Sequence, residues 1–86
     1  MSYKYHVEKA KIFTDEGQRK FLKIRDKVQR LLEEAGAFTM GKAIAGEGGS
    51  WQEMACVDRL VEIGEIQEIT NVDVFAQYRI FVSTKT

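Results

Sequence analysis

The chain has 86 residues, a mass of 9.8 kDa and no net charge, with thirteen Lys/Arg against thirteen Asp/Glu; such a length holds one domain, residues 1–86, with a single modest core. A hydrophobic share of 44% with 30% charged residues excludes a disordered chain, and no apolar run is long enough for a membrane span or a signal peptide, so a cytoplasmic domain without membrane contact is expected. The lone Cys56 excludes an internal disulfide and fits a reducing compartment.

The neutral total hides a polarised chain. Residues 1–42 carry ten Lys/Arg against six Asp/Glu, a balance of +4, and residues 43–86 carry three against seven, a balance of −4. A partner would meet a basic first half and an acidic second half. Proline is absent, so glycine has to end the helices.

Residues 1–13 read as an N-terminal arm or strand. In "SYKYHV" the alternation of Tyr3, Tyr5 and Val7 with Lys4 and His6 has the period of a strand. Residues 15–82 form the core. "TDEGQRKFLKIRDKVQRLLEEAGAF" predicts the first long helix, with Asp15 and Gln18 as a capping box and Gly36 as its stop. Phe21, Ile24, Val28, Leu31, Leu32 and Ala35 recur at three- and four-residue steps and make one apolar stripe. Arg19, Lys20, Lys23, Lys27 and Arg30 share an arc away from it. That arc is either a solvated helix surface or a face that neutralises phosphates.

"FTMGKAIAG" predicts a short second helix carrying Met40, Ala43 and Ile44, closed by Gly46. A glycine turn, "GEGGS", leads to a second capping box at Ser50 and Glu53 and a third helix from Trp51 to Ile63. Met54, Val57, Leu60 and Val61 mark its buried face, which leaves Gln52, Ala55, Cys56 and Arg59 toward solvent. Gly64 ends this helix. "EIQEIT" and "YRIFV" then predict a strand pair, with Tyr78, Ile80 and Val82 on one side and "NVDVFAQ", residues 71–77, as the connecting loop.

"MACVDRLVEIGEIQEI" followed by "VFAQYRIFV" resembles the winged-helix superfamily, over about residues 15–82. Leu60, Val61, Gly64 and Ile66 occupy the places where such domains end the third helix and enter the first wing strand. The resemblance implies an α+β fold: a three-helix winged helix-turn-helix domain with a C-terminal β-hairpin wing. The sequence departs from that arrangement in showing no strand between the first and second helices.

The resemblance also implies DNA binding, as in a small transcriptional regulator. The third helix would enter the major groove, with Gln52 and Arg59 as base readers and with Lys42, Arg19, Lys20, Lys23, Lys27 and Arg30 neutralising phosphates. The residues themselves also support a second reading. Arg59 is the one cation on a helix that carries Glu53, Asp58 and Glu62, and the wing displays Val72, Val74 and Phe75 instead of Lys or Arg. Such a loop suits contact with a protein partner or a second copy, with Trp51 either packed inside or an additional anchor. A protein-interaction module therefore stands beside the DNA-binding domain.

No enzyme signature is present. "GEGGS" lacks the Lys-Ser/Thr that a phosphate loop needs, and His6 and Cys56 are too isolated for a metal site. Glu62, Glu65 and Glu68 read as solvated surface. No cofactor or small-molecule ligand is indicated.

Overall fold

The computed structural model describes residues 3–48, 50–70 and 75–84. Its N-terminal segment is helical, not a strand. A one-turn helix α1 (Tyr5–Glu8) runs into a 3₁₀ segment, Lys9–Phe13, and that segment drives Ile12 into the core with 1% of its surface exposed. The alternation of Tyr3, Tyr5 and Val7 does not reflect a sheet face, since Val7 is exposed and Tyr3 and Tyr5 are half-buried against the core.

Helix α2 (Asp15–Ala35) follows the predicted stripe. Ile24 and Val28 are buried, Phe21, Leu31 and Leu32 pack at the margin, and Ala35 is exposed at the last position. Its cap is Thr14, not Asp15. The Thr14 hydroxyl accepts from the Gly17 amide at 3.0 Å, while the Gln18 side chain donates to the Ile12 carbonyl at 2.7 Å instead of closing a box. The preceding segment comes so close that a Cβ on Gly17 would meet the Lys11 carbonyl oxygen and lie 2.8 Å from Ile12 backbone atoms. Only glycine fits where the arm crosses the start of α2.

Gly36, with φ of 77°, ends α2 and turns the chain into β1 (Ala37–Thr39), the strand that the sequence did not show. Helix α3 (Met40–Ile44) begins immediately, with Thr39 accepting from the Lys42 amide at 3.2 Å. Helix α4 (Trp51–Glu62) has the predicted Ser50–Glu53 capping box. It ends in a Schellman motif: the Gly64 amide donates to the Val61 carbonyl and the Glu65 amide to Leu60, both at 3.0 Å, with Gly64 at φ 82°. A β-carbon disfavours that conformation, so the glycine sets where the helix stops.

β2 (Ile66–Glu68) and β3 (Ile80–Ser83) pair antiparallel, and β1 joins the far side of β3, giving the order β1-β3-β2. Tyr78 lies in a 3₁₀ turn, Ala76–Tyr78, before β3 rather than in the strand. The inward residue of β3 is Phe81, fully buried and stacked on its register partner Phe38 with ring centroids 5.4 Å apart. Burying such a side chain contributes roughly 2–3 kcal/mol. The described residues thus make an α+β domain of four helices and a three-stranded antiparallel sheet. Among them no helix is long and apolar enough to cross a membrane.

Candidate functional site

Helix α4 stands where the sequence predicted a DNA-reading helix, and it is the most enclosed element of the fold. It packs against α1, the 3₁₀ segment, α2, α3 and β2. Met54, Val57 and Leu60 are buried and Val61 is half-buried, as the spacing predicted. Ala55 and Cys56, expected toward solvent, are both 0% exposed. The cover that buries α4 includes residues 3–13, which helix periodicity alone does not place. Burial pushes the Cys56 thiol up to about 11, with the neighbouring Glu53 charge adding to the shift.

The two expected base readers are engaged within the fold. Gln52 is half-buried, its side-chain oxygen 3.5 Å from the Lys20 ammonium. Arg59 donates to the Glu62 carboxylate at 2.6 Å, and its guanidinium lies 5.3 Å from the Phe13 ring centroid. Glu53, 1% exposed, accepts from the Ser50 amide and hydroxyl and pairs with Lys20 at 3.1 Å. Burial pushes the Glu53 carboxyl up, but hydrogen bonds from Ser50 and Lys20 outweigh it and hold the group below the usual carboxylate range.

The arm is fixed to α4 by two groups of polar contacts, Tyr3 with Asp58 and Arg79, and Tyr5 and Lys9 with Glu62. The Tyr3 hydroxyl donates to Asp58 at 2.6 Å, and the Tyr3 ring meets Trp51 edge-on at 6.5 Å. Trp51 is therefore a packing residue beneath the arm. The Tyr5 hydroxyl at 2.8 Å and the Lys9 ammonium at 2.9 Å both donate to Glu62. Hydrogen bonds from Lys9, Tyr5 and Arg59 draw the Glu62 carboxyl down to about 2. Burial, together with the bonds to Asp58 and Glu62, pushes both phenols above their usual range. Arg79, just before β3, reaches Asp58 at 2.7 Å and Glu68 at 2.8 Å. Arg79 and the two carboxylates Asp58 and Glu68 thus link the residue before β3 to α4 and β2, and Asp58 ties in the arm through Tyr3. No local pattern announces this junction, because its members come from four separate segments.

The basic arc of α2 is divided. Lys20 pairs with Glu53, Lys23 and Lys27 pair with Glu47 at 3.3 and 3.8 Å, and Lys27 also donates to the Ala45 carbonyl. Arg19, Arg30 and Lys42 are exposed and take part in no ion pair among the described residues. Of the nine ion pairs found there, five join a cation of residues 1–42 to a carboxylate of residues 43–86. The charge asymmetry of the sequence is largely satisfied internally.

Exposed apolar side chains gather beside the β2–β3 pair, the expected wing. Phe75 is 77% exposed, Tyr78 56%, Ile69 50% and Ile80 37%, and the Phe75 and Tyr78 rings lie 6.4 Å apart. Val72 and Val74 lie outside the described residues. The chain matches no protein-family model, no curated protein and no solved structure. Its functional reading rests on its own residues.

Proposed function

We propose that the chain is a winged-helix-type domain that acts as a non-enzymatic protein-interaction module, with its wing as the contact surface. The fold type is supported by the order of elements: a long helix, a short strand, two helices and a hairpin, with the short strand joined to the last one. The interaction reading is supported above all by the state of α4. Its capping-box glutamate and its Asp58 and Glu62 face other protein groups, and Arg59, its cation, is paired. To enter a groove the helix would have to shed residues 3–13, and it would then present two carboxylates to the phosphates.

The wing favours a protein partner. Ile69, Phe75, Tyr78 and Ile80 are large exposed apolar side chains on the two sides of the β2–β3 pair, whose 3₁₀ turn Ala76–Tyr78 packs against α3. Aromatic side chains at the centre of an interface supply much of its binding energy.

The test has two arms. Anisotropy of a labelled mixed-sequence duplex, titrated at about 50 and about 200 mM salt, should show no saturable binding at tens of micromolar protein. Immobilised wild-type domain and a Phe75→Ser/Tyr78→Ser variant are then compared for retained proteins, with Arg30→Ala as a surface control. Proteins held by wild type and the control but lost by the wing variant support the reading. Saturable, steeply salt-dependent DNA binding that Arg19→Ala, Arg30→Ala and Lys42→Ala weaken overturns it and restores the DNA-binding regulator.

A further inference from the structure

The sheet ends on an open border. Its strands lie in the order β1-β3-β2, so β1 and β2 are the outer ones. Helices α2 and α3 both pack against β1. β2 rests on α4 with Ile66 buried, and its Gln67 and Glu68 are exposed. The Ile69 amide donates to the Ile80 carbonyl at 2.9 Å and the Thr84 amide to the Glu65 carbonyl at 3.4 Å. With Gln67 opposite Val82 between them, the residues of β2 that exchange bonds with β3 are the odd-numbered ones. Hydrogen-bonded positions alternate along an antiparallel strand, so Ile66 and Glu68 turn their N–H and C=O groups outward. Among the described residues no other group takes these up.

The side chains beside this border suit further sheet. One face carries Phe38, Phe81 and Ile66 into the core. On the opposite face Thr39, Ile80 and Ile69 form one row across the three strands, and Ala37, Val82 and Gln67 form the next. Neither row holds a charge, and Ile69 and Ile80 are 50% and 37% exposed. Glu68, the charged residue of β2, is already held by Arg79 at 2.8 and 3.0 Å. Its charge therefore does little to keep a second strand away.

We infer that β2 is a self-association edge: two copies of the domain join by antiparallel β2–β2 pairing, with the twofold axis at Gln67, into one continuous sheet ordered β1-β3-β2-β2-β3-β1. In that register Ile66 of one copy stands opposite Glu68 of the other. Both have outward backbone groups, so each of these equivalent pairs exchanges N–H···O bonds in both directions. Gln67 meets Gln67 across the axis, and a primary amide both donates and accepts. No like charges stand directly opposite one another, whereas an axis at Glu68 would set two carboxylates face to face. With thirteen cations against thirteen carboxylates, one copy does not repel another through its net charge. An unrelated strand could use the same backbone groups, but the matched register, the uncharged rows and the zero net charge suit the pairing of β2 with itself. The inference rests on reading the chain as an interaction module and names the partner of one border; Phe75 and Tyr78 lie outside the paired segment.

Sedimentation equilibrium of the full 86-residue chain from about 10 μM to about 1 mM, where small interfaces associate, should show a monomer–dimer equilibrium. Gln67→Lys and Gln67→Glu each place like charges across the axis and should weaken dimerisation at least about tenfold, and an equimolar mixture of the two should restore it. Gln67 is exposed, so both variants keep the wild-type melting temperature. Amide hydrogen exchange gives the second readout. The Ile66 and Glu68 amides should gain protection as concentration rises, while those of Gln67 and Ile69, bonded to β3, are protected throughout. Wild type that stays monomeric at about 1 mM, a dimer that Gln67→Lys leaves intact, or a mixture of the charge variants that does not associate overturns the proposal. A monomeric domain that retains another protein, lost in Gln67→Lys, overturns it in favour of a partner's extended strand on the same edge. Phe75→Ser/Tyr78→Ser should leave the dimer intact, and loss of the dimer in that variant also overturns the proposal. A normal dimer that captures no partner is a failure of the wing reading alone, and capture by a monomeric domain is a failure of this one alone.

Discussion

Replacing Arg79 by alanine tests whether the β2–β3 pair, α4 and the arm are held as one unit. Its guanidinium makes bonds to Asp58 at 2.7 and 3.3 Å and to Glu68 at 2.8 and 3.0 Å, and it lies 5.2 Å from the Phe81 ring centroid. The side chains of Arg79, Asp58 and Glu68 are 21%, 13% and 30% exposed, so the cluster is neither dry nor fully hydrated. Removing one partner of a fully buried ion pair costs about 3–5 kcal/mol, but here water reaches both carboxylates and Asp58 keeps its bond from Tyr3. A loss of about 2–3 kcal/mol is therefore expected. A domain of 86 residues has roughly 4–13 kcal/mol of stability, so the variant should still fold. Its melting temperature should fall by roughly 10–20 °C.

The pH dependence adds a sign. Hydrogen bonding to Arg79 holds the Glu68 carboxyl below its usual range, so the contribution is full above the unfolded carboxylate pKa and fades as the pH falls through the folded one. Urea unfolding of wild type and variant at neutral pH and at about pH 3.5 should show the difference shrinking in acid. Arg79→Lys, which keeps the charge without the two-sided fork, should fall in between. A loss below about 1 kcal/mol, or one that does not change with pH, would falsify the picture of a charged junction.

Three further outcomes follow from the same contacts. Glu53→Ala should cost about 2–4 kcal/mol in urea unfolding, since it removes a helix cap and the buried partner of Lys20, while Glu47→Ala, at a more exposed pair, should cost less than about 1 kcal/mol. Gly17→Ala should lower the melting temperature although alanine favours a helix by about 1 kcal/mol, because its methyl group has no space against Lys11 and Ile12; a rise would show that the arm yields easily. The hold of Glu62 on the arm should be complete above its unfolded value of about 4.5 and disappear as the pH falls toward about 2. Amide shifts of Tyr5 and Lys9 would follow that range, and Glu62→Gln should abolish the transition.

What the sequence disclosed was local. The Ser50–Glu53 box and the stop at Gly64 depend on residues three to five apart, and both are present. The stripe on α2 was legible for the same reason. β1 was not, because three residues carry no alternation and the strand exists through its distant partner β3, where Phe38 meets Phe81. The arm was misread because Tyr3, Tyr5 and Val7 alternate by chance of spacing; its helical form is set by Ile12 entering the core and by the tyrosine bonds to α4. Ala55 and Cys56 could not be placed without knowing that α4 is packed by the arm, α2, α3 and β2 together. Gln52 and Arg59 were identified by residue type, and nothing in type alone reveals that each already has a partner within the fold.

The charge pattern that seemed to offer two surfaces instead explains how the domain closes. An acidic α4 and an acidic loop before it attract the basic α2 and the basic arm, so Lys9, Lys20, Lys23 and Lys27 are neutralised by Glu62, Glu53 and Glu47. Folding pairs much of the cation density that DNA would need, and the α2 charges left outside ion pairs among the described residues include both carboxylates and Arg19 and Arg30. Several of the exposed apolar residues gather beside the last two strands, where Ile69, Phe75, Tyr78 and Ile80 lie. A surface arranged this way has little to offer a polyanion. On the proposed reading it suits partners that bring apolar side chains to Ile69, Phe75, Tyr78 and Ile80.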